Sequence, residues 1–351
     1  MSFDMHSKIV ANDVLRADVL KENKVFRLYS NDGRTLVIKA DQELGGTGQG
    51  MFKVASKIVA SFSEAAKMKL LTPQEIMEIC DWASSFPEKK GIRRMFGKQD
   101  SETRVKLRKA LQLPGFSWMK MQAFESISDA EFLQFRDKYS AKHNRKMMKR
   151  FTEAYQLPEG LRRLGRIVAL DFFIGNQDRF FAPWPELEHR RIEGVEIRCI
   201  QNTGNLFLDR DGLSLLLDYW DPSGGQITLD AYKRRYEKWP GDFLCAKDGV
   251  DAMGGDIAMD LRALFGIAVS KNHISVGIIK GMTEAVAAVV KYSHTRSFDK
   301  HANIWSEYRE RAERYATVLG IPFDVDEPKE IQTKSRSTGG ASPPRPANLG
   351  G

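Results

Sequence analysis

The sequence predicts an α+β protein, with a smaller β-containing N-terminal part followed by a larger, mainly helical C-terminal part. Three observations carry this. Residues 24–40 (KVFRLYSNDGRTLVIKA) hold two β-rich runs around Asn31-Asp32-Gly33, a hairpin-turn sequence. Residues 161–174 are strongly apolar over a helical length, and residues 257–319 keep helical periodicity. The β-rich segments also come first in the chain and the helices later.

Taken in order, the second run of the hairpin contains Thr35-Leu36-Val37-Ile38 and ends on Lys39. GGTGQG at 45–50 reads as a flexible loop. It lacks the trailing Lys-Ser/Thr of a phosphate-binding P-loop and makes a poor dinucleotide fingerprint. Residues 51–71 place Phe52, Ala55, Ile58, Val59, Phe62, Ala65, Ala66 and Met68 at helical spacing, which predicts one helix. Thr72-Pro73-Gln74-Glu75 reads as an N-cap with proline at the first helical position, opening a helix through Trp82. The run 88–109 is dense in Lys and Arg and reads as a solvated face, or as a dock for an acidic partner or anionic lipid. Residues 116–124 (FSWMKMQAF) predict a strand leading into a connector, and Ser-Asp-Ala-Glu at 128–131 opens another helix. Strands are expected at 193–200, 206–208 and 213–217, the last two forming a hairpin around Asp211-Gly212. Gly281 is expected to break the helical region. From Pro328 onward almost nothing apolar remains, so residues 326–351 are expected to be a disordered tail.

With 351 residues, the chain suggests two lobes plus that tail. A net charge of +8 and a pI near 9.2 suit an anionic partner without choosing among them. The three cysteines lie far apart, which argues against a zinc site and for a reducing compartment. No helix-turn-helix, RRM or zinc-finger signature is present, so nucleic acid is not the expected partner. No apolar run of about 20 residues and no secretory leader is read, so no membrane span is expected. The expected location is cytoplasmic, or a host cell reached by a signal-independent route.

The densest polar cluster is LDFFIGNQDRF at 170–180, followed by NTGNLFLDRDGLSLLLDYWDP at 202–222. Phosphoryl transfer from ATP needs hard oxygen ligands for Mg²⁺, a cation for the phosphates and a carboxylate near the attacking hydroxyl. Asp178 follows a buried helix and a Gly175-Asn176 turn. Asn205 begins and Asp218 ends one hairpin, so the two are placed to share a metal. Lys39 ends a strand from which it can reach phosphates.

The run GNQDR, then NTGNL, then LLLDYWD resembles the kinase-like superfamily. It is most similar to the branch with phosphatidylinositol 3/4-kinases, toxin-type serine kinases and actin-fragmin kinase. That resemblance implies a two-lobed kinase-like fold with an N-lobe at 1–118, a hinge at 119–127 and a C-lobe at 128–325. It implies Asp178 as catalytic base, Lys39 as the phosphate-binding lysine, and Asn205 and Asp218 as Mg²⁺ ligands, with Asn202 an alternative ligand. Met121 and Ala123 on the hinge would contact the nucleotide, and Glu64 or Glu43 would pair with Lys39. Asn205 follows Asp178 by 27 positions, whereas most members of the family have only a few. The implied activity is transfer of the ATP γ-phosphoryl group to a protein Ser/Thr, and the signal-free start with a flexible tail leads to the expectation of a bacterial effector or toxin. An inositol-lipid acceptor and a catalytically silent scaffold that binds partners through its basic surface are the alternatives.

Overall fold

The computed structural model describes residues 14–21, 24–30, 35–42, 46–65, 68–84, 93–122, 125–126, 142–176, 179–180, 190–192, 195–200, 205–209, 211–216, 244, 247–295 and 302–321. Strands β1 (Val14–Lys21), β2 (Val25–Ser30), β3 (Thr35–Gln42), β4 (Met68–Leu70) and β5 (Phe116–Gln122) form an antiparallel sheet in the order β1-β2-β3-β5-β4. The expected β2–β3 hairpin is present, with Val25 opposite Lys39 and Tyr29 opposite Thr35. β1 left little mark in the sequence because only Ala17 of its eight residues is buried, as suits an edge strand.

Helix α1 (Gly46–Val59) departs from expectation at both ends. It takes in Gly46 to Gly50, read above as loop, and it stops at Val59 instead of running to 71. Each helical glycine is unfavourable by about 1 kcal/mol, so burial must hold the helix. Met51, Phe52, Val54, Ala55, Ile58 and Val59 supply it. Phe62 and Met68 enter the same core from a turn and from β4. The helical spacing past Val59 therefore reflects a shared core, not a shared helix.

Strand alternation gives the sheet two dissimilar faces. Val37, Met119 and Met121 join the large core with α1. Leu36, Ile38, Ala40 and Trp118 belong to a second core. Helix α2 (Pro73–Ser84) covers that second face with Ile79 and Trp82, and α3 (Arg93–Leu111) covers it with Leu107, Ala110 and Leu111. The α2 cap is as read: Thr72 N donates to Glu75 Oε2 at 2.9 Å, and Glu75 N donates to Thr72 Oγ1 at 3.2 Å. Residues 93–109 of the basic run lie in α3, whose Arg104 lies over the Trp82 ring at 4.1 Å. Lys120 on β5 is buried and pairs with Glu75 at 2.7 Å. Burial opposes charge on Glu75, but Lys120 and Thr72 outweigh it and hold the carboxyl below its ordinary range.

After β5, the two-residue strand β6 (Glu125–Ser126) joins a second sheet of order β10-β9-β6, with β9 (Phe207–Leu208) and β10 (Ser214–Leu215). Helices make up most of the rest: α4 (Lys142–Tyr155), α5 (Pro158–Ile174), α6 (Lys247–Phe265), α7 and α8 (Ala302–Leu319). α7 is continuous through Lys271–His273, a π-helical Ile274–Ile279 and Lys280–Thr295. Gly281 does not break it, contrary to expectation. A Cβ there would fall inside the carbonyl of Arg162, and one at Gly165 would strike the carbonyl of Ile278. These glycines let α5 and α7 approach backbone to backbone. Residues 271–293 of α7 are apolar and long enough to cross a membrane by length and composition alone, and 44% of that window is buried inside the protein. The expected tail at 326–351 and the helix expected from Ser128 lie outside the described residues.

Two tests follow from this packing. Gly281→Val should lower stability by about 3 kcal/mol through overpacking, while Gly255→Ala, whose Cβ meets nothing within 4 Å, should raise it by roughly 0.5–1 kcal/mol. Chemical denaturation of both variants checks the contrast. The Glu75 contribution is fully present above the unfolded glutamate value of about 4.3 and is lost as pH falls through the lower folded value. Urea midpoints of the wild type should therefore fall more steeply below about pH 4.3 than those of a Glu75→Gln, Lys120→Met double variant.

Candidate functional site

The site is organised by α5. Its C-terminal half is buried, including one carboxylate, Asp171. An isolated ion there would be prohibitively unfavourable, so it requires partners. Arg179 places Nη1 at 3.0 Å from Asp171 Oδ2 and 3.3 Å from Oδ1, with both side chains about 1% exposed. The Asn176 side-chain amide donates to Asp171 Oδ1 at 3.0 Å, and its backbone N–H donates to the Asp171 carbonyl at 2.8 Å. Gly175 caps the helix in the left-handed conformation, and Arg311 of α8 donates to the Phe173 carbonyl at 2.8 Å. Arg179 also donates Nε to the Asn205 carbonyl at 2.9 Å. The residues at 176 and 179 are thus anchored to one carboxylate, and the second of them grips Asn205.

The 27-position gap between Asp178 and Asn205 closes on itself. Phe180 bridges Ile200 in antiparallel fashion, so most of the gap leaves and returns at one point. Strands β7 (Arg190–Ile192) and β8 (Val195–Ile197) form a small hairpin inside it. Asp260 of α6 binds the returning strand, accepting the backbone N–H of Arg198 at 2.9 Å, Cys199 at 2.6 Å and Ile200 at 2.7 Å. Burial raises the Asp260 carboxyl above its ordinary range despite these amides. Arg198 pairs with Asp256 at 3.1 Å.

The β9–β10 hairpin is held from several sides, with Leu208 opposite Ser214 and Phe207 opposite Leu215. Tyr155 hydrogen-bonds Ser214, and burial pushes the phenol up to about 12. Arg163 of α5 pairs with Asp209 at 2.6 Å. Gly212 turns the hairpin at φ 81°, where a Cβ would meet the Arg150–Phe151 peptide. Leu216 donates its N–H to the Glu64 carbonyl at 3.0 Å and bridges Ala65 in parallel fashion. β6 pairs with β9, Glu125 opposite Leu208, so the chain passes from the five-stranded sheet to this hairpin between Gln122 and Glu125.

The structure places the expected residues unevenly. Lys39 is half-buried on β3, on the Val37 face, with Nζ 3.6 Å from Asp41 Oδ2. Met121 is buried on β5 opposite Val37. Asn205 precedes β9 and has Arg179 on its carbonyl. Glu64 is not on a helix, as expected above, but in the turn after α1, where its carboxylate pairs with Arg166 of α5 and accepts from Ser63 Oγ at 2.9 Å. Arg166 also reaches Glu284 of α7 at 3.2 Å. Ala123, Asp178, Asn202, Asp218 and Glu43 lie outside the described residues. Sequence reasoning passed over Asp171, Arg166 and Asp260. Asp171 alone carried a signal, as a single charge within the run Leu170-Asp171-Phe172-Phe173-Ile174.

Compared with known proteins, the sequence matches no family model and no curated protein.

Removing one partner of the buried pair should leave an uncompensated charge. Asp171→Ala is expected to lower stability by about 3–5 kcal/mol, read as a shift in denaturation midpoint. A loss below about 1 kcal/mol, the worth of an exposed pair, would contradict the hub role of Asp171.

Proposed function

We propose that the chain is an ATP- and Mg²⁺-dependent phosphotransferase with a two-lobed, kinase-like architecture, acting on a hydroxyl of a protein Ser or Thr. The observation that carries this reading is the bond from Arg179 to the Asn205 carbonyl. It joins Arg179, which follows Asp178 in sequence, to Asn205 across the long gap, so the departure from the kinase-like spacing is compatible with the reading. Three further features support it. Lys39 lies on β3, in a sheet with a helix between its third and fourth strands in chain order. The chain crosses from that sheet to the β9–β10 hairpin where a hinge is expected. The hairpin begins beside Asn205 and has Leu216, two residues before Asp218 in sequence, tied to the turn after α1.

In this reading the acceptor hydroxyl oxygen attacks the γ-phosphorus, the bond to the β–γ bridging oxygen breaks, and ADP leaves. The hydroxyl proton passes to the Asp178 carboxylate. Lys39 binds phosphate oxygens. Asn205 and Asp218 offer the amide and carboxylate oxygens that suit a hard cation. Mg²⁺, when bound, neutralises charge on the phosphates. The buried Arg179–Asp171 pair limits the reorganisation needed at each turnover.

A catalytically silent nucleotide- or partner-binding scaffold is the second reading. The commitment of Glu64 to Arg166 favours it, because Glu64 is thereby engaged away from Lys39.

Turnover with labelled ATP separates the two. Asp178→Asn should lower phosphoryl transfer by roughly 10²–10⁴-fold while leaving ATP affinity and melting temperature near wild type. Wild-type turnover in a folded Asp178→Asn protein would remove Asp178 from the chemistry. ATP with Mg²⁺ should stabilise the protein more than either alone, and Asp218→Ala should abolish that difference.

A further inference from the structure

We propose that Arg27 of β2 is a second phosphate-binding cation, set on the sheet face that carries Lys39 and available to the oxygens of a nucleotide polyphosphate. The inference rests on the phosphotransfer reading, which puts the polyphosphate beside Lys39, and deepens it. Residues directly opposite in an antiparallel ladder share a face, and Arg27 lies opposite Val37 of β3. Val37 and Lys39, two apart on β3, share that face in turn. Arg27 therefore stands diagonal to Lys39, at about 7–8 Å, a separation that two long side chains close on one polyphosphate. Val37 is buried in the large core together with Met121, whereas Arg27, Tyr29 and Thr35 on the same face are half-buried. The face is closed at Val37 and partly open at Arg27.

The Arg27 guanidinium carries an orphaned donor. Its Nε is buried and donates to no acceptor among the described residues. The acid that register places opposite it is Asp18 of β1. That carboxylate already accepts the Tyr29 hydroxyl at 2.7 Å and Arg16 Nη2 at 3.2 Å, both on Oδ2. Arg16 is further fixed over the Tyr29 ring at 4.1 Å. A buried polar group without a partner is unfavourable, and such groups are rare enough in folded proteins to call for a reason beyond the fold. The nitrogens of arginine form a planar fork that matches two phosphate oxygens at once. A phosphate oxygen on Nε supplies the missing acceptor, at a depth where partial withdrawal from water strengthens the attraction.

The test titrates three probes into the full chain and into its R27M and R27K variants by calorimetry: ATP with Mg²⁺, inorganic tripolyphosphate, and adenosine. R27M should weaken ATP and tripolyphosphate by about 10- to 100-fold, the range for hydrogen bonds to a charged group, and leave adenosine unchanged. R27K keeps the charge but not the fork, so its losses should fall between. The melting temperature of R27M should equal or exceed that of the wild type, because the variant keeps the apolar stem and removes a buried donor without an acceptor. Wild-type affinity for ATP in R27M, an equal loss for adenosine, or a melting temperature lowered by several degrees would overturn the role of Arg27 while ATP binding by the wild type stands. Tripolyphosphate binding that depends on Arg27, without binding of ATP, would keep the anion site and remove the phosphotransfer reading. Binding of neither by the wild type would overturn both.

Discussion

Asp171 lies in the last turn of α5 between apolar residues of the helix, Leu170 and Phe172, so its charge can be tolerated only if a cation and amide donors come to it. Arg179 and Asn176 are those partners, and both lie on the segment that leaves the helix. The need to satisfy one carboxylate therefore dictates where the chain goes after α5. Because Arg179 has donors left over, the same need reaches 26 residues further, to the carbonyl of Asn205. The candidate site depends on this arrangement more than on any contact among its own polar side chains.

A second set of charges does the same work at the other end of the hairpin. Arg166, one helical turn and one residue before Asp171, holds the Glu64 carboxylate, and the Glu64 carbonyl accepts the Leu216 N–H. α5 thus grips both ends of the β9–β10 region, through Arg179's partner on one side and Arg166 on the other. The glycines at 165 and 281 let α7 lie directly on α5 and bring Glu284 to Arg166. A site assembled from residues distant in sequence gains its rigidity from one buried helix. The phosphotransfer proposed for this site would require that kind of support.

The excursion between Phe180 and Ile200 shows how spacing in sequence misleads about spacing in space. Its ends meet in one bridge, and Asp260 fastens the return strand by three successive amides. A carboxylate that accepts backbone N–H groups takes no account of which side chains those residues carry. No pattern in residues 198–200 announces it, and its donor and acceptor lie about 60 positions apart.

What the sequence by itself determined is what local physics controls. The Asn-Asp-Gly hairpin, the Thr72–Glu75 capping box, the apolar length of α5 and the hairpin around Asp211-Gly212 follow from backbone preference and periodicity within a few residues. The sequence misread what depends on burial by distant partners. Gly46 to Gly50 became helix because Met51, Phe52, Val54, Ala55, Ile58 and Val59 are buried, Gly281 remained helical because α5 needs the space, and Glu64 left the expected helix for a turn facing Arg166. The partner of the Asn205 carbonyl was likewise decided by tertiary structure alone. An ion pair or a carbonyl's donor is chosen by whichever groups folding brings within reach, and no local preference encodes that choice.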